Sequence, residues 1–279
     1  MQVIINKLGV NVYDSILVVT MPLNINRTIE QEEYEEIWQK ARDSKEATWH
    51  YQGFESWRSL PQSLGKGETR VFNLHSHLKI SIENNFYWQP IYLDYNYHNE
   101  NILLFNFYVK GDRRVINPGI AIEADREETA NETCICHISE ARSIEYFPAQ
   151  QDLQNLTISI NLDYLRQFGD QYQQTNDNSL LKKLFTDKPL DSFHQSINHN
   201  HPTIKKIISN LLNRPYDGVI KKMYFESKTL ELLALQFSQL TENTIVSPKI
   251  NLRKDDIERL YFARDILRKS FDSPPLLWL

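Results

Sequence analysis

The chain has 279 residues and a formal net charge of −5, and 41% of its residues are hydrophobic. This length supports one large or two modest domains with a full core, and this composition excludes a chain that is mainly disordered. The weakly acidic balance provides no general attraction to nucleic acid or to an anionic membrane, and no stretch approaches the roughly 20 apolar residues of a transmembrane helix.

Residues 1–27 predict a short, strand-rich preamble around the apolar stretch SILVVTM. It lacks a basic leader followed by a small-residue cleavage site, so we expect no signal peptide. The two cysteines lie one residue apart, which suits a reducing compartment, and we therefore expect a cytoplasmic protein. Thr28 with Gln31 three residues later predicts the capped start of a helix, since apolar residues recur at helical spacing after it.

Residues 28–160 predict a β-rich effector-sensing domain with this helix at its N-terminal end. The segments that alternate between apolar and polar residues are TRVFNLH, LKISIENNFYW, IYLDYNYH, NILLFNFYVKG, TCICHIS and NLTISIN. Short strands at this spacing are typical of an antiparallel sandwich or barrel, and a closed sheet of this size can hold a small ligand. We therefore expect an α+β fold with a cupin-like β-sandwich or barrel.

The pattern becomes helical after Asn161, and residues 161–245 predict a dimerisation region. In a long helix at residues 222–240, four apolar side chains share one face: Leu230, Leu233, Phe237 and Leu240. This face packs either on a second chain or on the sheet domain, and the sequence leaves both open. Residues 246–279 predict a linker and a final helix at 256–271.

Few residues carry the signature of catalysis or metal binding. His75 and His77 lie on a predicted strand as metal-ligand pairs do, but no suitably placed carboxylate follows them. Cys134 and Cys136 share one strand face while His137 points to the other, so these three cannot converge. No nucleophile elbow or phosphate-binding glycine loop occurs. We predict no enzymatic activity, no metal and no cofactor.

Aromatic side chains on the strands are candidates for lining an effector pocket, although aromatic strands also build ordinary cores. The candidate effector-binding residues are Tyr87, Trp88, Tyr95, Tyr97, Phe105 and Phe107.

Two long segments carry a resemblance to a known family. LLNRPYDGVIKKMYFESKTLELLALQFSQL, and after a linker LRKDDIERLYFARDILRKSFDSPPLLWL, resemble the AraC/XylS transcription regulators, especially the PchR-like subgroup. The likeness extends upstream over IEQEEYEEIWQKA and ETCICHIS and covers about residues 28–279. It implies a sensor that binds a small effector, with a ferric siderophore as the candidate by family analogy, and a homodimer or a heterodimer with a full-length paralogue.

Family members continue from the Pro-Pro pair into two helix-turn-helix units, whose second helices enter the DNA major groove. This sequence stops at PPLLWL, so we expect a helix-turn-helix domain that is almost wholly missing. Basic residues of the last helix are candidates for contacts with the DNA backbone: Arg253, Lys254, Arg264 and Arg268. We expect DNA binding only where the missing domain is supplied. The alternative is a stand-alone small-molecule binder, or a remnant without regulatory output.

Overall fold

The computed structural model describes residues 27–96, 101–118, 120, 125–139, 142–169, 180–186, 190–197 and 201–245. The strands among them are β1 (His50–Gln52), β2 (Glu55–Ser59), β3 (Gly65–His75), β4 (Leu78–Tyr87), β5 (Ile91–Asn96), β6 (Ile102–Lys110), β7 (Arg113–Ile116), β8 (Asp125–Glu128), β9 (Thr133–His137), β10 (Arg142–Phe147), β11 (Asp152–Asn161) and β12 (Phe193–Ser196). The helices are α1 (Gln31–Asp43), α2 (Leu162–Arg166), α3 (Leu180–Phe185), α4 (Pro202–Asn213) and α5 (Gly218–Ile245).

The strands form two antiparallel sheets. The larger sheet has the order β1-β2-β3-β4-β11-β6-β9-β12, and the smaller sheet has the order β5-β10-β7-β8. All six alternating segments of the sequence form strands of these sheets, which confirms the predicted antiparallel α+β architecture.

The larger sheet has one apolar face, and the helical half of the chain packs on it. Ile80 and Ile82 of β4, Phe105 of β6 and Ile158 of β11 are buried in a cluster that also contains the inner residues of α2 to α5. Alternate residues of a strand point to opposite faces, so the residues between these positions face the smaller sheet. The larger sheet is therefore the middle layer between helices and a second sheet.

The first helix starts later than the sequence predicts. Helix α1 begins at Gln31 with an extended Glu30 as its N-cap and no capping side chain, so the predicted cap at Thr28 is wrong. Ile29 instead forms an isolated bridge with Ile91, and its amide donates to the Pro90 carbonyl at 2.8 Å. This pairing holds the backbone extended and delays the helix.

A strand interrupts the region that the sequence predicts as helical. β12 pairs with β9 at the edge of the larger sheet, and His194 lies opposite Cys136. Only one apolar residue, Phe193, lies among its four residues, so alternation has too few positions to reveal it. The predicted final helix at 256–271 and the preamble at 1–26 lie outside the described residues.

Helix α5 is attached to the sheet by an apolar contact and a buried ion pair. The rings of Phe72 on β3 and Phe225 on α5 are 4.4 Å apart, and both are fully buried. The Lys221 ammonium donates to the Glu55 carboxylate, which also accepts from Arg70 at 2.7 Å. Both Lys221 and Glu55 are buried, so each charge depends on its partner.

Replacing Lys221 with methionine is expected to lower the free energy of unfolding by about 2–3 kcal/mol, because Glu55 keeps only Arg70 as a cationic partner. Urea denaturation measures this loss. Lys222→Met is the matched control, since Lys222 is the next residue of the same helix and is only half-buried. Equal losses in the two variants would contradict the proposed role of the ion pair.

Candidate functional site

A cavity of about 300 Å³ lies between the two sheets, and helix α1 contributes Tyr34 and Trp38 to its wall. The larger sheet provides mainly polar side chains: Thr69, Glu83, Asn85, Asn106, Asn155 and Thr157. The smaller sheet provides Leu93, Tyr95, Arg113, Val115, Ser143, Glu145 and Phe147. This volume is at the lower end of the range of small-molecule sites.

The strand pleat brings the polar residues to this face. On β4, Glu83 and Asn85 alternate with Ile80 and Ile82 of the apolar face, and Glu83 lies opposite Asn155 of β11. The polar residues of neighbouring strands also bond to one another, since the Thr157 hydroxyl donates to the Asn106 side-chain carbonyl at 2.8 Å.

Arg113 connects the charged groups of the cavity. Its Nε is 2.6 Å from Glu128 Oε2, one terminal nitrogen is 3.1 Å from Glu145 Oε2, and the other is 2.7 Å from the Tyr108 hydroxyl. Glu128 lies directly opposite Arg113 on β8, so strand pairing places the carboxylate beside the guanidinium. The guanidinium therefore links β8 and β10 of the smaller sheet to β6 of the larger one.

Two cavity carboxyls have a pKa above the usual value. Burial raises the pKa of Glu145, and the charge of Arg113 offsets only part of that rise. Burial also raises the pKa of Glu83, which Arg113 again lowers in part. A carboxyl with a raised pKa can donate a hydrogen bond as well as accept one.

Several buried polar atoms at the cavity have no hydrogen-bond partner within the described part of the chain. They are Arg58 Nε, Asn85 Oδ1, Ser143 Oγ and Asn155 Oδ1. Ser143 is only 1% exposed, so its hydroxyl is removed from bulk solvent. Buried polar groups are normally satisfied, and a set of unsatisfied ones around one cavity indicates a site for a polar ligand or bound water.

A second group of residues lies beside this cavity. His194 Nε2 is 2.8 Å from Glu128 Oε1, and the Cys134 thiol donates to the same oxygen at 3.5 Å. Burial alone would lower the pKa of His194, but its hydrogen bonds with Cys134 and Glu128 raise it to about 9. Burial would raise the pKa of Glu128, but the charge of Arg113 and the hydrogen bond to His194 hold it far below its usual range.

The structure separates the six aromatic residues that the sequence groups together. Tyr87 and Tyr95 line the cavity. Phe105 and Phe107 lie on the opposite, apolar face of the larger sheet, so the structure does not place them with the tyrosines. Trp88 lies outside the cavity lining and donates from Nε1 to the Gln62 carbonyl at 2.8 Å. Tyr97 is outside the described residues.

The four residues of the predicted dimerisation face also differ in their surroundings. Leu233 and Leu240 are buried in the core of this chain, and Phe237 packs on Phe105 with ring centres 5.5 Å apart. Only Leu230, 37% exposed, is open to solvent. The structure thus gives three of them an internal role, and dimerisation through α5 stays a prediction. The predicted DNA-contacting residues, Arg253, Lys254, Arg264 and Arg268, lie outside the described part of the chain.

The histidine pair and the cysteine pair of the sequence both lie among residues that the structure describes. His75 and His77 lie around the turn after β3, and both rings stack on Tyr164. The Cys134 and Cys136 thiols share one face, as predicted, because both contact the Asn106 amide nitrogen, at 3.5 and 3.7 Å.

The charged and polar cavity residues carry little signal in the sequence. Glu83 and Asn85 could have been found from their alternation with isoleucines, which is the pattern of a strand with a polar face. Arg113, Glu145 and His194 show no such pattern, because strands distant in sequence bring them together.

The raised pKa of His194 predicts a pH dependence of stability. Between its usual pKa of about 6.5 and the folded value of about 9, the folded chain binds a proton that the unfolded chain lacks. The free energy of unfolding should therefore fall as the pH rises through this window, by on the order of a few kcal/mol. Urea denaturation in chelator-containing buffer measures the slope. His194→Gln should flatten it, and an unchanged slope in that variant would contradict the assignment.

Comparisons with known proteins give one family and several distant structures. The family model described as "Regulatory protein PchR N-terminal domain" matches residues 66–252. A search of the curated proteins finds no match. Among the helices of the described residues, none has the length and apolar character needed to cross a bilayer.

Three solved structures illustrate the distant matches. A cupin protein from Bacteroides fragilis is 9% identical, with 33% of this chain and 75% of that chain covered and a TM-score of 0.26. A Cupin 2 conserved barrel domain protein from Salinispora arenicola is 12% identical, with 37% and 84% covered and a TM-score of 0.26. The Cupin_2 domain of an XRE family transcriptional regulator from Enterobacter cloacae is 4% identical, with 30% and 81% covered and a TM-score of 0.24.

Similarities at these TM-scores are too weak to carry an argument about this chain. The family match is different, because it covers more than half of the sequence and includes most of both sheets. The chain therefore belongs to the family of PchR N-terminal regulatory domains.

Proposed function

We propose that this protein is the sensor part of an AraC/XylS-type transcriptional regulator and that it binds a small effector in the cavity between its sheets. The observation that carries this proposal is the group of unpartnered buried polar atoms around the cavity. A regulatory domain whose interior keeps such groups available has a site for a signal, because leaving them unsatisfied costs free energy that a bound ligand recovers.

The wall chemistry defines the kind of effector that fits. Ser143 and the amide oxygens of Asn85 and Asn155 provide hydrogen bonds to a polar ligand, while Tyr87 and Tyr95 provide aromatic surface. Glu83 and Glu145 add two carboxyl groups to the wall that can bond to polar groups of a ligand. We therefore propose a small ligand with polar and aromatic groups. The family resemblance makes a ferric siderophore the first candidate.

The layered fold supports a route from the effector to the helices. The larger sheet contacts the cavity with one face and α5 with the other, and β3 contributes Thr69 to the first and Phe72 to the second. A ligand that shifts β3 therefore changes the surface on which α5 rests. We propose that this shift regulates pairing with a second regulator chain. We also propose that the protein is cytoplasmic, that it is not an enzyme and that it does not act at a membrane.

Filling the cavity tests the proposal. Ser143→Leu places a larger apolar side chain in the wall and removes the hydroxyl, so it should weaken effector binding about tenfold or more, the effect of 1.4 kcal/mol. Ser59→Leu is the matched control, because Ser59 is exposed on β2. Titrations that follow the fluorescence of Trp38 and the other tryptophans would use ferric siderophores of phenolate and catecholate type, their iron-free forms and small aromatic acids.

Three outcomes are informative in these titrations. Binding of a ferric form alone would support the siderophore candidate, whereas binding of an iron-free aromatic acid would support another effector in the same cavity. Equal affinity of the wild type and Ser143→Leu for the bound compound would contradict the cavity as its site.

A further inference from the structure

We propose that Glu128, Cys134 and His194 form a binding site for a divalent transition-metal ion. One ligand atom from each residue lies within 4.8 Å of the other two, and all three residues are buried. This inference is independent of the effector proposed above, because it concerns different atoms and a different ligand.

The spacing of the ligand atoms is close to that of a tetrahedral metal site. Zinc bond lengths place neighbouring donor atoms about 3.4–3.6 Å apart. Cys134 Sγ is already 3.5 Å from Glu128 Oε1, and His194 Nε2 is 2.8 Å from the same oxygen. An ion bound to both His194 Nε2 and Glu128 Oε1 would lengthen their 2.8 Å distance by about half an ångström.

The charges of the site also suit a divalent ion. The Cys134 thiol donates to Glu128 Oε1, and His194 Nε2 lies 2.8 Å from the same oxygen as its ion-pair partner. A divalent ion that displaces one proton from the thiol and one from the imidazolium leaves the total charge of the buried group unchanged. Exchange of two protons for one ion thus avoids the cost of an added buried charge.

The surrounding residues would hold two of the ligands in place. Arg113 binds Glu128 through Oε2 at 2.6 Å, so the other carboxylate oxygen is available to the ion. The Asn117 amide is 2.9 Å from His194 Nδ1, and its Oδ1 has no partner among the described residues. Rotating this amide lets Oδ1 accept from Nδ1–H, which leaves the Nε2 lone pair for the metal.

The donor set indicates the class of ion. One thiolate, one imidazole nitrogen and one carboxylate oxygen form a mixed set that suits Zn²⁺ or Fe²⁺ and is too soft for Mg²⁺ or Ca²⁺. Three protein ligands leave the fourth tetrahedral position for a non-protein ligand, as in zinc sites with an open position. His194 also lines the inter-sheet cavity, so the proposed metal site lies beside that cavity.

Cobalt substitution tests this site with Co²⁺ alone as the probe. The metal-free wild-type chain should bind one Co²⁺ and develop a thiolate-to-cobalt charge-transfer band. Cys134→Ser should abolish the band. Cys136→Ser is the matched control, because Cys136 is also buried, lies two residues along the same strand and is not one of the three ligands. It should keep the band.

Two further measurements on the wild-type chain test the site even if Cys134→Ser fails to fold. X-ray absorption of the Co²⁺-bound wild type should show one sulfur ligand with nitrogen and oxygen ligands, and calorimetry in buffers of different ionisation enthalpy should show release of about two protons per ion. No binding, a site with no sulfur or two sulfurs, or a band that disappears only in Cys136→Ser would overturn the proposal.

Discussion

The buried guanidinium of Arg113 is the interaction on which the interior of this domain depends. It binds Glu128, Glu145 and Tyr108, and these three residues come from two different sheets. Without it, Glu145 would lose its ion pair and Glu128 would keep only His194 as a partner, and removing one member of a buried ion pair costs several kcal/mol. The ion network therefore allows a polar cavity to exist where a sandwich normally has an apolar core.

The two faces of the larger sheet have different roles, because one is apolar and the other lines a polar cavity. Its outer face stabilises the domain through aliphatic and aromatic packing against the helices, as Phe72 does against Phe225. Its inner face contributes less apolar burial and presents polar and titratable side chains to the cavity. This arrangement suits the proposed sensor, because a ligand in the cavity would contact the inner face without replacing the apolar contacts that hold the helices. Glu128 of the proposed metal site and Glu145 of the cavity wall both pair with Arg113, so this guanidinium contacts both proposed sites.

Sequence patterns predict the parts of this fold in which burial follows a simple period. β3, β4, β6, β9 and β11 each bury an apolar face, and their alternation identifies them. β7 and β8, with the sequences RRVI and DREE, point charged side chains inward, so the hydrophobic alternation that marks a strand is missing. Arg113 of β7 and Glu128 of β8 remove the hydrophobic alternation that would identify these strands, and the same two residues form the ion pair at the cavity.

The candidate sites were harder to predict than the strands, for a related reason. Two of the predicted aromatic residues, Tyr87 and Tyr95, line the cavity, but Phe105 and Phe107 lie on the opposite face of the larger sheet. The alternation within a strand does not show which of its two faces points to the cavity, and only the pairing of the strands does. The sequence argues against Cys134 as a metal ligand, because the partners in the proposed metal site, Glu128 and His194, come from two other strands. Convergence of this kind depends on long-range pairing, such as β12 on β9, which no local pattern contains.

Comparing two neighbouring arginines tests the central claim most directly. Arg113 and Arg114 are adjacent on β7 and both bind carboxylates, but the Arg113 side chain is 17% exposed and the Arg114 side chain is 52% exposed and bonds to Asp125. Urea denaturation of Arg113→Met should show a loss of about 3–5 kcal/mol or failure to fold, whereas Arg114→Met should lose less than about 1 kcal/mol. Similar small losses in both variants would contradict the view that the interior depends on Arg113.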